Sequence, residues 1–226
     1  PPVRRPLDSG VVEHAGEVGL ARDASAAKDP ALVLLCLDAK NAYGTASREK
    51  CLEALGRVAP ELLPCADLFC RRTSQYLFWD AAGACHRLTA TSGVDQGDPL
   101  APLLFACGLA PCLEVLEENL RQLARDHGLD PSRVKVLAYL DDVAVLVPPE
   151  LATEAQPAAA RALGTLGLEL RPEKTQVFSK GSPCPLGLEA QWREYGLTLV
   201  GLPLGEPLPA GGLPAEDDGR RVDLGT

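Results

Sequence analysis

The chain contains no methionine, and its first residue is Pro1. Both features read as those of a fragment of a longer protein, or of an incomplete gene model. Long apolar runs are also missing. A membrane-spanning helix needs about 20 consecutive apolar residues, and the longest stretch here, Leu100 to Leu113, is interrupted by Pro102 and Pro111. A helical membrane anchor is therefore not expected, and no secretory signal pattern is seen. Paired cysteines are absent as well. None of the eight forms a Cys-x-x-Cys pair, and His14, His86 and His127 are the only histidines, which argues against a zinc site. Cys36, Cys51, Cys65, Cys70, Cys85, Cys107, Cys112 and Cys184 sit mostly in apolar stretches such as "LLCLD" and "LLFACGL". A free thiol there behaves as a small buried hydrophobe. Reduced thiols point to an intracellular setting, nucleus or cytoplasm. Positive charge is scarce: 22 Lys and Arg stand against 31 Asp and Glu, for a net charge of -9. Affinity for phosphate backbones comes from Lys and Arg. The charge balance therefore counts against strong non-specific nucleic-acid binding by these 226 residues alone.

What is present is a core. The chain is 46% hydrophobic, far from the composition of a disordered polymer. Residues 1–30 are polar and irregular. Ala31 to Leu37, "ALVLLCL", reads as a strand buried on both faces and ends at Asp38. Ser47 is the N-cap of a helix running to about Val58. Pro60 to Trp79 reads as a second helix, with Pro64 in its first turn. "ACHRLTATSG" reads as a strand. Asp98 and Pro99 have the N-cap and first-position chemistry of a long helix, whose Leu103, Leu104, Cys107, Leu113, Leu116, Leu120 and Leu123 recur at helical period. Val134–Tyr139 and Val143–Val147 form a hairpin around Leu140, Asp141 and Asp142. Glu150 to Leu166 is helical, and "KTQVFS" and "LTLVGL" are short strands. Strands and helices do not alternate strictly, so an α+β fold is expected: a small antiparallel sheet backed by helices.

Asp141 and Asp142 pose a physical problem. Two like charges lie between apolar runs with no Lys or Arg close in sequence, and burying even one unpaired carboxylate is costly. A divalent cation with hard oxygen ligands would resolve the conflict. Asp38 supplies a third carboxylate if its strand lies beside the hairpin. Such a cluster can hold two ions and align a phosphoryl displacement. The alternative is a solvated hairpin turn, since Asp is common in turns.

Five blocks, "LLCLDAKNAYG", "SGVDQGDPLAPLLF", "YLDD", "LGLELRPEKTQVF" and "LVGLPLG", occur in this order. Together they resemble the successive palm motifs of reverse transcriptases, especially those of non-LTR retrotransposons, over residues 31–205. The resemblance implies a polymerase palm with partial fingers and no thumb. It implies metal ligation by Asp38, Asp141 and Asp142, with the Ala39 carbonyl as an auxiliary ligand. The ions would be two Mg²⁺, with Mn²⁺ as an alternative. Tyr43 would exclude a 2′-hydroxyl, its bland alternative being ordinary packing. Gln96 and Gly97 would approach the nucleotide and template, Tyr139 would support the turn and the primer end, and Lys174 would protonate the leaving pyrophosphate. Gly201, Leu202 and Pro203 would grip the primer. For Lys174 a solvated strand-start position, and for Gly201 to Gly205 a plain Gly-Pro turn, are the alternatives. The implied partners are an RNA template, a DNA primer and dNTP, and no membrane.

The chain departs from that pattern at its ends. Only residues 1–30 precede the first motif, a shortened lead-in without a convincing basic finger pair. Residues 206–226 read as a Pro- and Gly-rich disordered tail, with no helical thumb or endonuclease region. These 226 residues alone are thus expected to polymerise weakly or not at all. The competing readings are a catalytically inactive retroelement relic or a domesticated nucleic-acid- or partner-binding palm. A viral RNA-dependent RNA polymerase fits less well, because Tyr43 and Leu140 stand where an Asp and a Gly would be wanted.

Overall fold

The computed structural model describes residues 29–95, 97–199 and 202–205. The lead-in and tail expectations, together with Gln96 and Gly201, lie outside the described residues, apart from Asp29 and Pro30. The first strand, β1 (Val33–Leu37), is the apolar run read from the sequence. It is followed by a single helical turn, α1 (Ala42–Thr45), and by α2 (Arg48–Val58), whose Ser47 side chain accepts from the Lys50 N–H. Next come α3 (Leu63–Cys70), the hairpin β2 (Ser74–Trp79) and β3 (Cys85–Ala90), and the long helix α4 (Ala101–Asp126). The hairpin β4 (Lys135–Tyr139) and β5 (Asp142–Val147), α5 (Ala152–Gly164), β6 (Gln176–Phe178), and the pair β7 (Gly196–Leu199) and β8 (Leu202–Gly205) complete the order.

The main sheet is antiparallel with order β4-β5-β1-β6. Because side chains alternate along a strand, its two faces are covered differently. Val33, Leu35, Leu37, Val143, Val145, Val147 and Val177 join the cluster that includes α2, α4 and α5. Leu34, Ala144, Leu146 and Phe178 meet Leu197, Leu199 and Leu204 of the β7–β8 pair. A central strand covered on both faces has no polar side, which is why β1 reads as a continuous apolar run. On α4, Leu104, Phe105, Gly108, Leu109, Cys112, Leu116, Leu120 and Ala124 are buried, an i, i+4 stripe facing the core. Pro111 lies inside this helix and Pro102 in its first turn. Among the described residues, no helix is long and apolar enough to cross a membrane.

Two expectations need correction. Pro60 to Trp79 is not one helix: a 3-10 turn over Pro60–Leu62 and the short α3 end at Cys70, and Ser74–Trp79 is a strand. Aromatic side chains favour an extended backbone, and Tyr76, Phe78 and Trp79 pair with Leu88, His86 and Cys85 across the hairpin. The helix α4 also starts later than Asp98. The Asp98 carboxylate accepts from the Leu100 N–H at 2.8 Å, a local turn that delays the first helical residue to Ala101.

The thiols divide by position. Cys51, Cys70, Cys107 and Cys112 are buried, whereas Cys65 and Cys85 are exposed. Burial first, and then the neighbouring thiols Cys107, Cys70 and Cys112, push Cys51 up to about 12. The thiolate is the reactive form. Iodoacetamide at pH 8 should therefore modify Cys65 and Cys85 and spare Cys51, as read by peptide mass spectrometry; modification of Cys51 at the same rate would contradict this packing. In denaturant melts, Leu116→Ala should cost about 2–5 kcal/mol, because Leu116 is 0% exposed. Trp79→Ser, at a side chain 63% exposed, should change stability by less than about 0.5 kcal/mol.

Candidate active site

Strand β1 ends with Leu37 opposite Val143 of β5. One further step of the same register sets Asp38 against Asp142. The β4–β5 hairpin closes on the Tyr139–Asp142 pair, so Leu140 and Asp141 form its loop. Leu140 has φ 53°, in a region that a branched side chain enters at a cost of about 1–3 kcal/mol. The other non-glycine residue with positive φ among the described residues is Asn41, at φ 47°, immediately before α1. Both strained positions flank the carboxylates.

Asp141 and Asp142 reach solvent, and Asp38 is half-buried. Even so, burial, then the charge of Asp141, then that of Asp38 hold the Asp142 carboxyl above the usual carboxylate range. The three carboxylates thus share one electrostatic neighbourhood. Burial and the charge of Asp142 also push the Cys36 thiol up to about 12. The carboxylates do not form a closed cage: among the described residues, no group of three His, Cys, Asp or Glu side chains stands ready to hold a metal ion.

Asp38 has a partner that sequence reasoning missed. The Arg171 Nε donates to Asp38 Oδ2, and the Arg171 N–H donates to the Asp38 carbonyl at 2.8 Å. Ala39 forms an isolated antiparallel bridge with Leu170, and the Lys40 N–H donates to the Glu169 carbonyl at 2.8 Å. In this pattern the flanking residues make the bonds. The Ala39 carbonyl therefore faces away from the 169–171 segment. Lys174 is exposed in the turn that follows, its N–H donating to the Arg171 carbonyl at 3.0 Å.

Tyr43 is 8% exposed and stacks on Phe105, with ring centroids 4.5 Å apart and planes 14° apart. Burial, then Asp141 and Tyr139, raise its phenol above the ordinary value, so its ring lies near the hairpin tip. The segment before Gln96 is docked onto the same place: the Gly93 N–H donates to the Ala46 carbonyl at 2.8 Å, and the Val94 N–H to the Tyr43 carbonyl at 2.7 Å. The buried Arg48 side chain completes the clasp, donating from Nε to the Gly93 carbonyl and from Nη1 to the Arg72 carbonyl. Tyr76 of β2 donates its hydroxyl to Asp95. Gly97 is exposed, with φ 99° and open space on its side-chain side.

Asp38, Asp141, Asp142, Tyr43 and Tyr139 are therefore brought together. Leu202 and Pro203 sit in β8, opposite Leu199 and Thr198, and β7–β8 packs on the sheet face away from the helices. Arg171 and Arg48 were missed because an ion pair across 133 residues and a backbone clasp across 45 leave no periodic trace.

A structure of telomerase from Candida albicans, in complex with a TWJ fragment of telomeric RNA, superposes with TM-score 0.59 at 15% identity. The match covers 86% of this chain and 33% of that one, and shows the fold. The family profile described as reverse transcriptase (RNA-dependent DNA polymerase) matches residues 6–201, and the chain belongs to that family. The 132 kDa protein of the retrotransposable element SLACS from Trypanosoma brucei gambiense is 33% identical over 147 residues. The Pol polyprotein of the type-1 retrotransposable element R2 from Nasonia vitripennis is 27% identical over 183 residues. These alignments cover 64% and 75% of this chain, but only 12% and 16% of those longer proteins.

The clasp at Gly93 is open to test. Its φ is 78°, and a Cβ there would stand 2.3 Å from the Gly44 carbonyl oxygen; Gly83, at φ 80°, has nothing within 4 Å of the same point. Gly83→Ala should cost about 1 kcal/mol for the backbone alone. Gly93→Ala should cost at least about 2 kcal/mol more, because backbone has to move. Equal losses in denaturant melts would show that the clasp is not tight.

Proposed function

We propose that the chain is the palm of an RNA-directed DNA polymerase of the non-LTR retrotransposon kind, spanning about residues 31–205. It would add deoxynucleotides from dNTP to a DNA primer along an RNA template. The observation that carries this reading is the pairing of β1 with β5, whose last pair, Leu37 with Val143, lies one step from Asp38 and Asp142, with Asp141 next in the hairpin loop.

The donor set fits a divalent cation. All three side chains offer hard oxygens. Burial is the main reason the Asp142 carboxyl is raised, and the charges of Asp141 and Asp38 add a repulsion that a cation would relieve. Asp38, Asp141 and Asp142, with the Ala39 carbonyl, would hold Mg²⁺, two ions by resemblance, with Mn²⁺ as a substitute. When bound, such ions neutralise charge as phosphoryl groups transfer.

The chain's own side chains do the positioning. Tyr43, backed by Phe105, would wall off the space that a ribose 2′-hydroxyl needs. Gly97, with no side chain in the way, would let the backbone beside Gln96 approach the nucleotide and template. Tyr139 would support the primer end, and Gly201, Leu202 and Pro203 would grip it. Lys174 Nζ would hand a proton to the departing pyrophosphate. The eight unpaired cysteines support an intracellular setting, nucleus or cytoplasm.

Primer extension on an RNA template with Mg²⁺ tests this reading, using a chain extended at both ends. The parent should incorporate dNTP, Asp141→Ala should lose at least about 100-fold, and Tyr43→Ala should accept rNTP more readily. Nucleic-acid binding without extension in the parent would favour a domesticated, non-catalytic palm.

A further inference from the structure

The geometry points to Arg171 as a built-in counter-ion that competes with a divalent cation for Asp38. The inference rests on the cation reading of the site under Proposed function.

Arg171 is held as a fixed arm. Its N–H is bonded to the Asp38 carbonyl, and its own carbonyl accepts from the N–H groups of Lys174, at 3.0 Å, and Thr175, at 3.2 Å. The fully buried Thr175 adds its hydroxyl to the same carbonyl at 3.3 Å. Pro172 follows and restricts the backbone of Arg171 to extended conformations. Leu168 and Leu170, just before it, are buried in the main core. The guanidinium therefore reaches Asp38 from an ordered segment. The ion pair is 31% exposed on Arg171 and 36% on Asp38, so solvent screens it only in part. The neighbouring Lys40–Glu169 pair, 64% and 76% exposed and 4.0 Å apart, contributes little.

Two opposite effects on cation binding follow from such a contact. Holding Asp38 Oδ2 orders the carboxylate and leaves Oδ1 for an ion, which favours binding. A fixed positive charge one carboxylate away from a doubly charged ion opposes it. The ordering gain is small, since the backbone of Asp38 is already fixed by its bond to Arg171 and its side chain has few rotors to lose. The charge effect doubles with the charge of the ion and acts in a partly desolvated place. Repulsion therefore wins. Arg171 balances the acidic cluster when no ion is bound, and an ion must overcome the Arg171 charge to recruit Asp38.

The test is Mn²⁺ binding to the purified metal-free chain, followed by the electron paramagnetic resonance signal of free Mn²⁺. Arg171→Gln should bind about ten-fold more tightly than the parent, the order expected from removing one partly screened charge. In an Asp38→Asn background the same substitution should have at most about two-fold effect, because the partner is gone. Arg171→Lys keeps the charge. It should stay within about three-fold of the parent, which keeps the proposal testable if the Gln variant folds poorly. Equal or weaker binding by Arg171→Gln, or ten-fold tighter binding by Arg171→Lys, overturns the Arg171 proposal alone. No Mn²⁺ binding in the parent or in either variant overturns the cation reading of the site and this proposal with it.

Discussion

The pairing of β1 with β5 is the constraint on which the rest depends. Asp38 follows the last residue of β1 and Asp142 opens β5, and the antiparallel register brings both to one end of the sheet. The register is held by burial on both faces of the sheet, with Leu35 and Val145 toward the helices and Leu34 and Leu146 toward β7–β8. A slip of one residue would swing every one of these side chains to the wrong face. The apolar core thus holds together three acids that would separate in solution. Their charge is relieved by solvent at Asp141 and Asp142 and by Arg171 at Asp38.

Around that edge the backbone is unusually committed. Among the described residues, the two with positive φ that are not glycine, Asn41 and Leu140, stand just before Tyr43 and Asp141. The Gly93 segment is fastened to Ala46 and Tyr43 by backbone bonds and to Arg48 by its side chain, while Tyr43 rests on Phe105 of α4. A wall of this kind gives way less readily than a surface aromatic. Its rigidity comes from packing that extends through α4 into the main core, so the shape of the site and the stability of the fold draw on the same contacts.

Some of this was legible in the sequence. The "ALVLLCL" run announced β1 because a strand buried on both faces has no alternation to hide. "YLDDVAVLV" announced the hairpin because its two apolar runs are separated by polar turn residues. The Pro60–Trp79 segment misled, because the side chains of β2 are largely exposed and their apolar character continued that of α3 without a proline or glycine between them. The acid cluster was legible only as a conditional: Asp141 and Asp142 posed the electrostatic question, and their proximity to Asp38 required strand order, which local periodicity does not encode. Arg171 lay in plain view within "LGLELRPEKTQVF". Its bond to Asp38 is a product of tertiary structure, and no spacing rule connects the two.

The central claim is that Asp38 and the Asp141–Asp142 turn form one cation site. Paramagnetic broadening by Mn²⁺ in the isotope-labelled chain tests it most directly. The account predicts that amide signals of residues 37–40 and 139–143 broaden first and in parallel as Mn²⁺ is added. Broadening confined to the hairpin tip, with residues 37–40 unaffected, would contradict it.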